Sequence, residues 1–309
     1  MRIYPFPKTH MLCPTRKERL TASPAVVLFF FAIVMTLAQL GRSWVGNLAV
    51  RALPEGIGNI PRLLILLFAT TVTVVAVLLW CLLGERRTLS SLGFVPRNVG
   101  AEYGLGLVFG LLMFGVAVLL CMATSSLTLS ASEGAFPLGA FLLCLLGFLI
   151  QGMSEEMLCR SYLMVSLSRG LPLWACALIN ALLFSLLHVG NPGISVIALV
   201  NIFLFGLFAS GLTLRQGSIW MVGALHSMWN FAQGNLFGIP VSGLAGLPSP
   251  LKADIADGGL NTLINGGAFG LEGGLAVTVV LLASCALILF LPTKKNEIAR
   301  ERETAQIPL

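Results

Sequence analysis

The sequence predicts an all-α, polytopic membrane bundle of about eight transmembrane helices. Three observations carry that reading. Of 309 residues, 57% are apolar and only 10% charged, whereas a soluble domain averages roughly 25% charged. The apolar residues fall into runs of about 20, the length a helix needs to cross a hydrocarbon core. Most Lys and Arg lie at the ends and in short segments between the runs, so the net charge of +6 reads as a topology signal. No basic stripe is interleaved with aromatics, which argues against a nucleic-acid partner. The seven cysteines are scattered without CxxC spacing and read as buried thiols, not disulfides or zinc ligands.

Residues 1–23 form a basic tail with Lys8, Arg16, Lys17 and Arg19. The run 24–40 is a first span. Its long basic approach and the lack of a small-x-small site favour an uncleaved helix over a signal peptide. A loop over 41–62 follows, then a second span over 63–84 and a charged connector from Glu85 to Phe94. The third span, 103–123, carries Gly106 and Gly110 at a spacing that allows close helix packing, although ordinary membrane-helix glycine explains them equally well. Residues 124–135 are a loop without Lys or Arg. The fourth helix covers 136–168, the fifth span 172–189, and Gly190-Asn191-Pro192-Gly193 is a tight turn. The sixth and seventh spans are 194–214 and 217–237. A long Gly- and Pro-rich loop, partly re-entrant, fills 238–272 before the eighth span, 273–291, and a charged tail over 294–302. These elements divide into an N-terminal part (1–135), a core (136–237) and a C-terminal part (238–309).

Placement of Lys and Arg puts both termini in the cytoplasm, with Arg86, Arg87, Arg97, Arg160, Arg169, Arg215, Lys294 and Lys295 inside. The loops 124–135 and 238–272 are then outside, and the first outer loop, with Arg42, Arg51 and Arg62, fits poorly. No internal repeat supports a transporter architecture.

Three polar patterns interrupt the apolar runs. Glu155-Glu156 precedes Arg160, Phe184 precedes His188, and His226 precedes Asn230. A charge at the centre of a membrane helix costs ~2.5–3.5 kcal/mol on insertion scales, so such groups need a partner or a task. Residues four apart share a helix face, so Glu156 is placed to pair with Arg160. Glu155 points about 100° away around the helix, given ~3.6 residues per turn, and is free to meet His188. At ~1.5 Å per residue, Glu155 lies ~21 Å, His188 ~24 Å, and His226 and Asn230 ~14–20 Å from the expected cytoplasmic helix ends. Three patterns at similar depth suggest one polar cluster.

The chemistry of such a cluster is restricted. A carboxylate in a low-dielectric site suits a general base, imidazoles can share a water with it or bind a metal, and an Asn amide can donate to an oxyanion. Peptide-bond hydrolysis by Glu-activated water fits, and so does a divalent metal held by Glu and His. The helical HExxH zinc signature is absent. Singly, each pattern has a structural explanation: a Glu–Arg pair as interhelical glue, a His as a satisfied hydrogen bonder, Phe184 as core. Their joint occurrence favours function.

In this order, Glu155-Glu156-Met157-Leu158-Cys159-Arg160, Phe184-Ser185-Leu186-Leu187-His188 and His226-Ser227-Met228-Trp229-Asn230 resemble the EExxxR, FxxxH and HxxxN motifs of the CPBP (Abi) family of intramembrane proteases. That family includes CAAX prenyl endopeptidases and bacteriocin-processing or immunity proteins. The resemblance covers about residues 138–237. It implies a membrane-embedded endopeptidase with a cavity opening to the cytosol. By position, Glu155 would activate water, His188 would assist, and His226 and Asn230 would stabilise the oxyanion. Glu156, Arg160 and Phe184 would support the site. The family has been described both as metalloproteases and as glutamate-dependent, so a metal such as zinc at Glu155, His188, His226 and Asn230 stays open beside the metal-independent reading. The implied partners are membrane lipid and a protein or peptide substrate, prenylated in CAAX-type members. The short spans and loops suit a bacterial plasma membrane. The competing readings are a non-catalytic family member serving immunity or scaffolding and, less well supported, a proton-coupled transporter.

Overall fold

The computed structural model describes Thr9, Met11, Leu12 and residues 23–290. Most of the basic N-terminal tail and the charged C-terminal tail lie outside the described residues. The chain is a helical membrane bundle. Five helical stretches are long and apolar enough to cross a membrane: 24–51, 59–84, 99–123, 138–167 and 196–216. The shorter apolar helices 173–186 and 275–290 and the helix 220–231 occupy the other three expected segments. Large apolar side chains such as Phe29, Leu119 and Leu289 lie exposed on the exterior, as a lipid-facing surface requires.

Helix α1 (Pro24–Arg51) runs past the loop expected from residue 41. Gly41 is not a turn glycine there: a Cβ on it would meet Val72 Cγ1 at 2.9 Å, so it serves as a packing contact. The second span is broken into α2 (Asn59–Phe68) and α3 (Thr71–Leu79), followed by a π-helical turn, Trp80–Gly84. At the break the Thr70 hydroxyl donates to the Leu67 carbonyl at 2.6 Å, the local side-chain bond by which Thr competes with the helical ladder. The connector tucks under the bundle, where Ser161 Oγ donates to the Leu92 carbonyl at 2.6 Å.

Helix α4 (Val99–Ala123) ends at β1 (Leu127–Ala131), which pairs antiparallel with β2 (Leu251–Ile255). This two-stranded sheet corrects the reading of both segments as loop. Neither strand is apolar enough to announce itself, and the pairing joins residues more than a hundred positions apart. Helix α5 (Leu138–Glu156) passes into a π-helical stretch, Met157–Met164, and closes with α6 (Val165–Leu167). Helix α7 (Leu173–Leu186) stops two residues before His188, short of its expected end. Helices α8 (Val196–Gln216) and α9 (Trp220–Phe231) follow, α9 continuing as a π-helical turn through Leu236. The short α10 (Gly259–Asn265) lies in the long loop, and α11 (Leu275–Phe290) is the last apolar helix. The loop dips into the core through Phe269 and Leu271, both fully buried.

Helix α9 is the axis of the bundle, gripped between α4 and α5. A Cβ on Gly106 would collide with the Met221 carbonyl, and one on Gly110 with the Leu225 carbonyl. On the opposite side, a Cβ on Gly152 would sit 2.5 Å from Ser227 Oγ and 2.7 Å from its backbone nitrogen. Small residues let helix backbones approach where lipid supplies no hydrophobic drive. The structure thus decides between the two readings of Gly106 and Gly110 in favour of close packing. Gly110→Leu should lower thermal stability in detergent by at least ~1–3 kcal/mol, the usual cost of overpacking. Gly115→Leu, where no atom lies within 4 Å of the added Cβ, should leave the melting temperature unchanged.

Candidate active site

Glu155 and Glu156 end α5 and face different surroundings. Glu156 is fully buried. Its Oε1 accepts from Arg160 Nη1 at 2.9 Å and from His226 Nδ1 at 2.8 Å. The expected i,i+4 pair therefore forms, and it reaches across to α9. Arg160, also fully buried, donates through Nη2 to the Gly206 carbonyl of α8 at 3.3 Å. Its guanidinium lies 4.4 Å from the centre of the Phe184 ring on α7, within cation–π range.

The Glu155 side chain is 26% exposed. Gln151, one turn earlier, donates through Nε2 to Glu155 Oε1 at 2.5 Å. The other oxygen, Oε2, has no hydrogen-bond partner among the described residues and lies 3.8 Å from His226 Nε2. That separation is too long for a hydrogen bond. Gln151 also accepts from Asn230 Nδ2 at 2.9 Å. A chain Asn230–Gln151–Glu155 results, parallel to His226–Glu156–Arg160.

His188 sits just beyond the end of α7. Its backbone nitrogen turns back to the Ser185 carbonyl at 3.0 Å, while its ring Nδ1 pairs with the Phe184 carbonyl at 2.8 Å. A carbonyl only accepts, so Nδ1 carries the proton and Nε2 is left with its lone pair in the neutral ring. His226 Nδ1 likewise donates to the Glu156 carboxylate, which places its Nε2 beside Glu155. Both rings are thus held in fixed orientations by partners at Nδ1.

These groups converge on one cavity of about 650 Å³, lined by Glu155, His188, His226 and Asn230 together with Gln151 and Phe184. Sequence spacing suggested that Glu155 would meet His188. Both line the cavity, but the histidine nearest Glu155 in the ion-pair geometry is His226. Gln151 escaped sequence reasoning, although its spacing of four from Glu155, in an otherwise apolar helix, was a usable signal. So did the far wall: Gln39 and Arg42 of α1, and Thr70 and Thr73 at the helix break.

As a metal cage the donor set fits poorly. Among the described residues no three His, Cys, Asp or Glu side chains converge as ligands. No step below is therefore routed through a metal.

Residues 137–232 match the family model described as type II CAAX prenyl endopeptidase Rce1-like. The resemblance read from the three motifs is borne out, since all three fall within the matched segment. The match supports an integral membrane hydrolase of the CAAX-protease kind at family level. Comparison with curated proteins returned no match.

Removing one member of a buried ion pair strands the other charge, at a cost of ~3–5 kcal/mol. Arg160→Met and Glu156→Leu should each unfold the protein at markedly lower temperature or denaturant. The double variant should recover part of that loss; strictly additive losses in a double-mutant cycle would show that the two side chains are not coupled.

Proposed function

We propose that the chain is an intramembrane endopeptidase that hydrolyses a peptide bond by Glu155-activated water. The observation that carries this reading is the convergence of Glu155, His188, His226 and Asn230 on one cavity inside an apolar bundle, within the segment that matches a protease family. A water at the Glu155 carboxylate gives up a proton to it as its oxygen attacks the scissile carbonyl carbon. His188 Nε2, with its lone pair available, accepts a hydrogen bond from the same water and orients it.

The carbonyl oxygen becomes an oxyanion. The second amide hydrogen of Asn230 stabilises it, as does the Nε2 proton of His226 in its imidazolium form, with Glu156 holding the ring through Nδ1. Glu155 then returns the proton to the leaving amide nitrogen as the carbon–nitrogen bond breaks. The products are a carboxylic acid and an amine, which exchange a proton to leave as carboxylate and ammonium, and the enzyme ends in its starting protonation state. Glu156, Arg160 and Phe184 position His226 without touching the reacting atoms. Gln151 does the same for Glu155 and Asn230. The substrate is a membrane-associated protein or peptide.

Membrane proteomes from cells with wild type and with Glu155→Gln identify the cleaved substrate, and the purified pair then measures turnover. Glu155→Gln and His188→Ala should each lower kcat by about 10²–10⁴-fold, the range of general acid–base catalysis, with unchanged thermal stability. Full cleavage by Glu155→Gln would overturn the assignment. A protective phenotype that survived Glu155→Gln combined with His226→Ala would favour the non-catalytic reading. Gln151→Leu should lower kcat with little change in KM, because it loosens two catalytic groups while leaving the cavity walls in place.

A further inference from the structure

We infer that the cavity opens on the non-cytoplasmic side of the membrane and takes a peptide segment delivered from that side. The inference rests on the endopeptidase reading for what happens in the cavity, and on independent observations for where the cavity opens.

The bundle has two distinct ends. At one lie the start of α1, the connector after residue 84, the turn after α6 and the turn between α8 and α9. Contacts among these segments seal that end. Ile219 N donates to the Gly93 carbonyl at 3.0 Å, Trp220 Nε1 to the Val95 carbonyl at 2.9 Å, and Arg169 to the carbonyls of Leu12 and Met11 at 2.7 and 3.1 Å. At the other end lie the loop after α1, both strands, the turn after α7 and the long loop before α11. These are tied by the β1–β2 pairing and by Asn265, which donates to the Ser126 carbonyl at 2.7 Å.

The cavity belongs to the strand-bearing end. Gly190, Asn191, Pro192, Ser242, Gly243, Leu244 and Glu272, from the loops there, form part of its wall, and no described segment of the sealed end does. Toward the sealed end the site is plugged. Every residue of Met157–Met164 is buried, and so are Val165, Ser166 and Leu167. On α9, Met221 through Leu225 are buried as well. These buried side chains form a wall between the cavity and the sealed end.

Charge assigns the two ends to compartments. Among the described residues the sealed end has Arg86, Arg87, Arg97, Arg169 and Arg215, and in the sequence the segments before α1 and after α11, whose ends lie there, carry nine more Lys and Arg. The strand-bearing end has Arg42, Arg51, Arg62 and Lys252. By the positive-inside bias the sealed end is cytoplasmic. A cytoplasmic N-terminus and a cavity open to the cytosol therefore cannot both hold on this fold. The charge pattern and the buried plug together favour the outward opening, so the substrate class is a peptide segment or membrane-anchored tail exposed outside the cytoplasm.

The test uses cysteine accessibility in the full chain, expressed in a bacterial plasma membrane with Cys13 changed to Ser. The described native cysteines are buried, apart from the partly buried Cys285. A membrane-impermeant maleimide is applied to spheroplasts and to inverted vesicles. Ala245→Cys should label in spheroplasts and not in inverted vesicles, and Gly170→Cys the reverse. A small impermeant methanethiosulfonate should reach His188→Cys from the same side as Ala245→Cys, with Asn191→Cys as a second cavity position should the histidine variant fail to fold. Labelling of Ala245→Cys only in inverted vesicles overturns the orientation. Modification of the cavity positions from the Gly170 side, or from neither side, overturns the opening. Labelling needs no turnover, so either failure is distinguishable from failure of the protease reading.

Discussion

The site depends on one carboxylate oxygen. Glu156 Oε1 receives both the guanidinium of Arg160 and the ring of His226, and the arginine continues to the backbone of α8 and the Phe184 ring on α7. One buried charge pair thereby references the helices that carry the polar motifs to a common point. Buried ion pairs seldom add net stability over well-packed apolar side chains, because desolvation cancels the attraction. Here the pair instead fixes geometry: any slide of α9 against α5 would strand a full charge at zero exposure, a penalty that steeply limits relative motion. This is the setting in which a second carboxylate can be left partly unsatisfied and still be held in place.

The close approach that this node needs comes from residues with no polar character. Gly106, Gly110 and Gly152 bring α4 and α5 against α9, which places His226 within hydrogen-bond reach of Glu156. The π-helical stretch beginning at Met157 lies directly after the two glutamates. Such insertions shift the following side chains around the helix axis and recur at functional sites. Even so, Glu156 and Arg160 remain bonded at 2.9 Å.

Hydropathy made the apolar segments legible, and the three motifs made the polar cluster legible, because charges inside apolar runs stand out against their surroundings. Other features lacked a local signature. The end of α1 at Arg51 was hidden by Gly41, whose packing role against Val72 only the tertiary structure shows. The break at Thr70 reflects a single side-chain hydrogen bond. The β1–β2 pairing is a long-range contact between two weakly patterned segments. Gln151 was within reach, since an amide one turn before a membrane glutamate satisfies the same spacing rule that paired Glu156 with Arg160. Spacing alone, though, could not tell which histidine would lie beside Glu155.

Adjacent glutamates in a chain are chemically equal, and only rotation around the helix separates them. One step of rotation turns Glu156 into a closed pocket where a cation and an imidazole both claim one oxygen. The same step leaves Glu155 at the cavity wall with one oxygen on a neutral amide and the other unclaimed. The nature of the anchor matters as much as its presence. A cation would neutralise the carboxylate it holds, while an amide fixes the oxygen and leaves the negative charge free to take a proton. Gln151 can therefore orient Glu155 without satisfying it, and the same amide steadies Asn230 with its carbonyl. In the proposed mechanism the arginine belongs to the carboxylate that supports and the glutamine to the carboxylate that reacts, and a cation in place of Gln151 would neutralise the base.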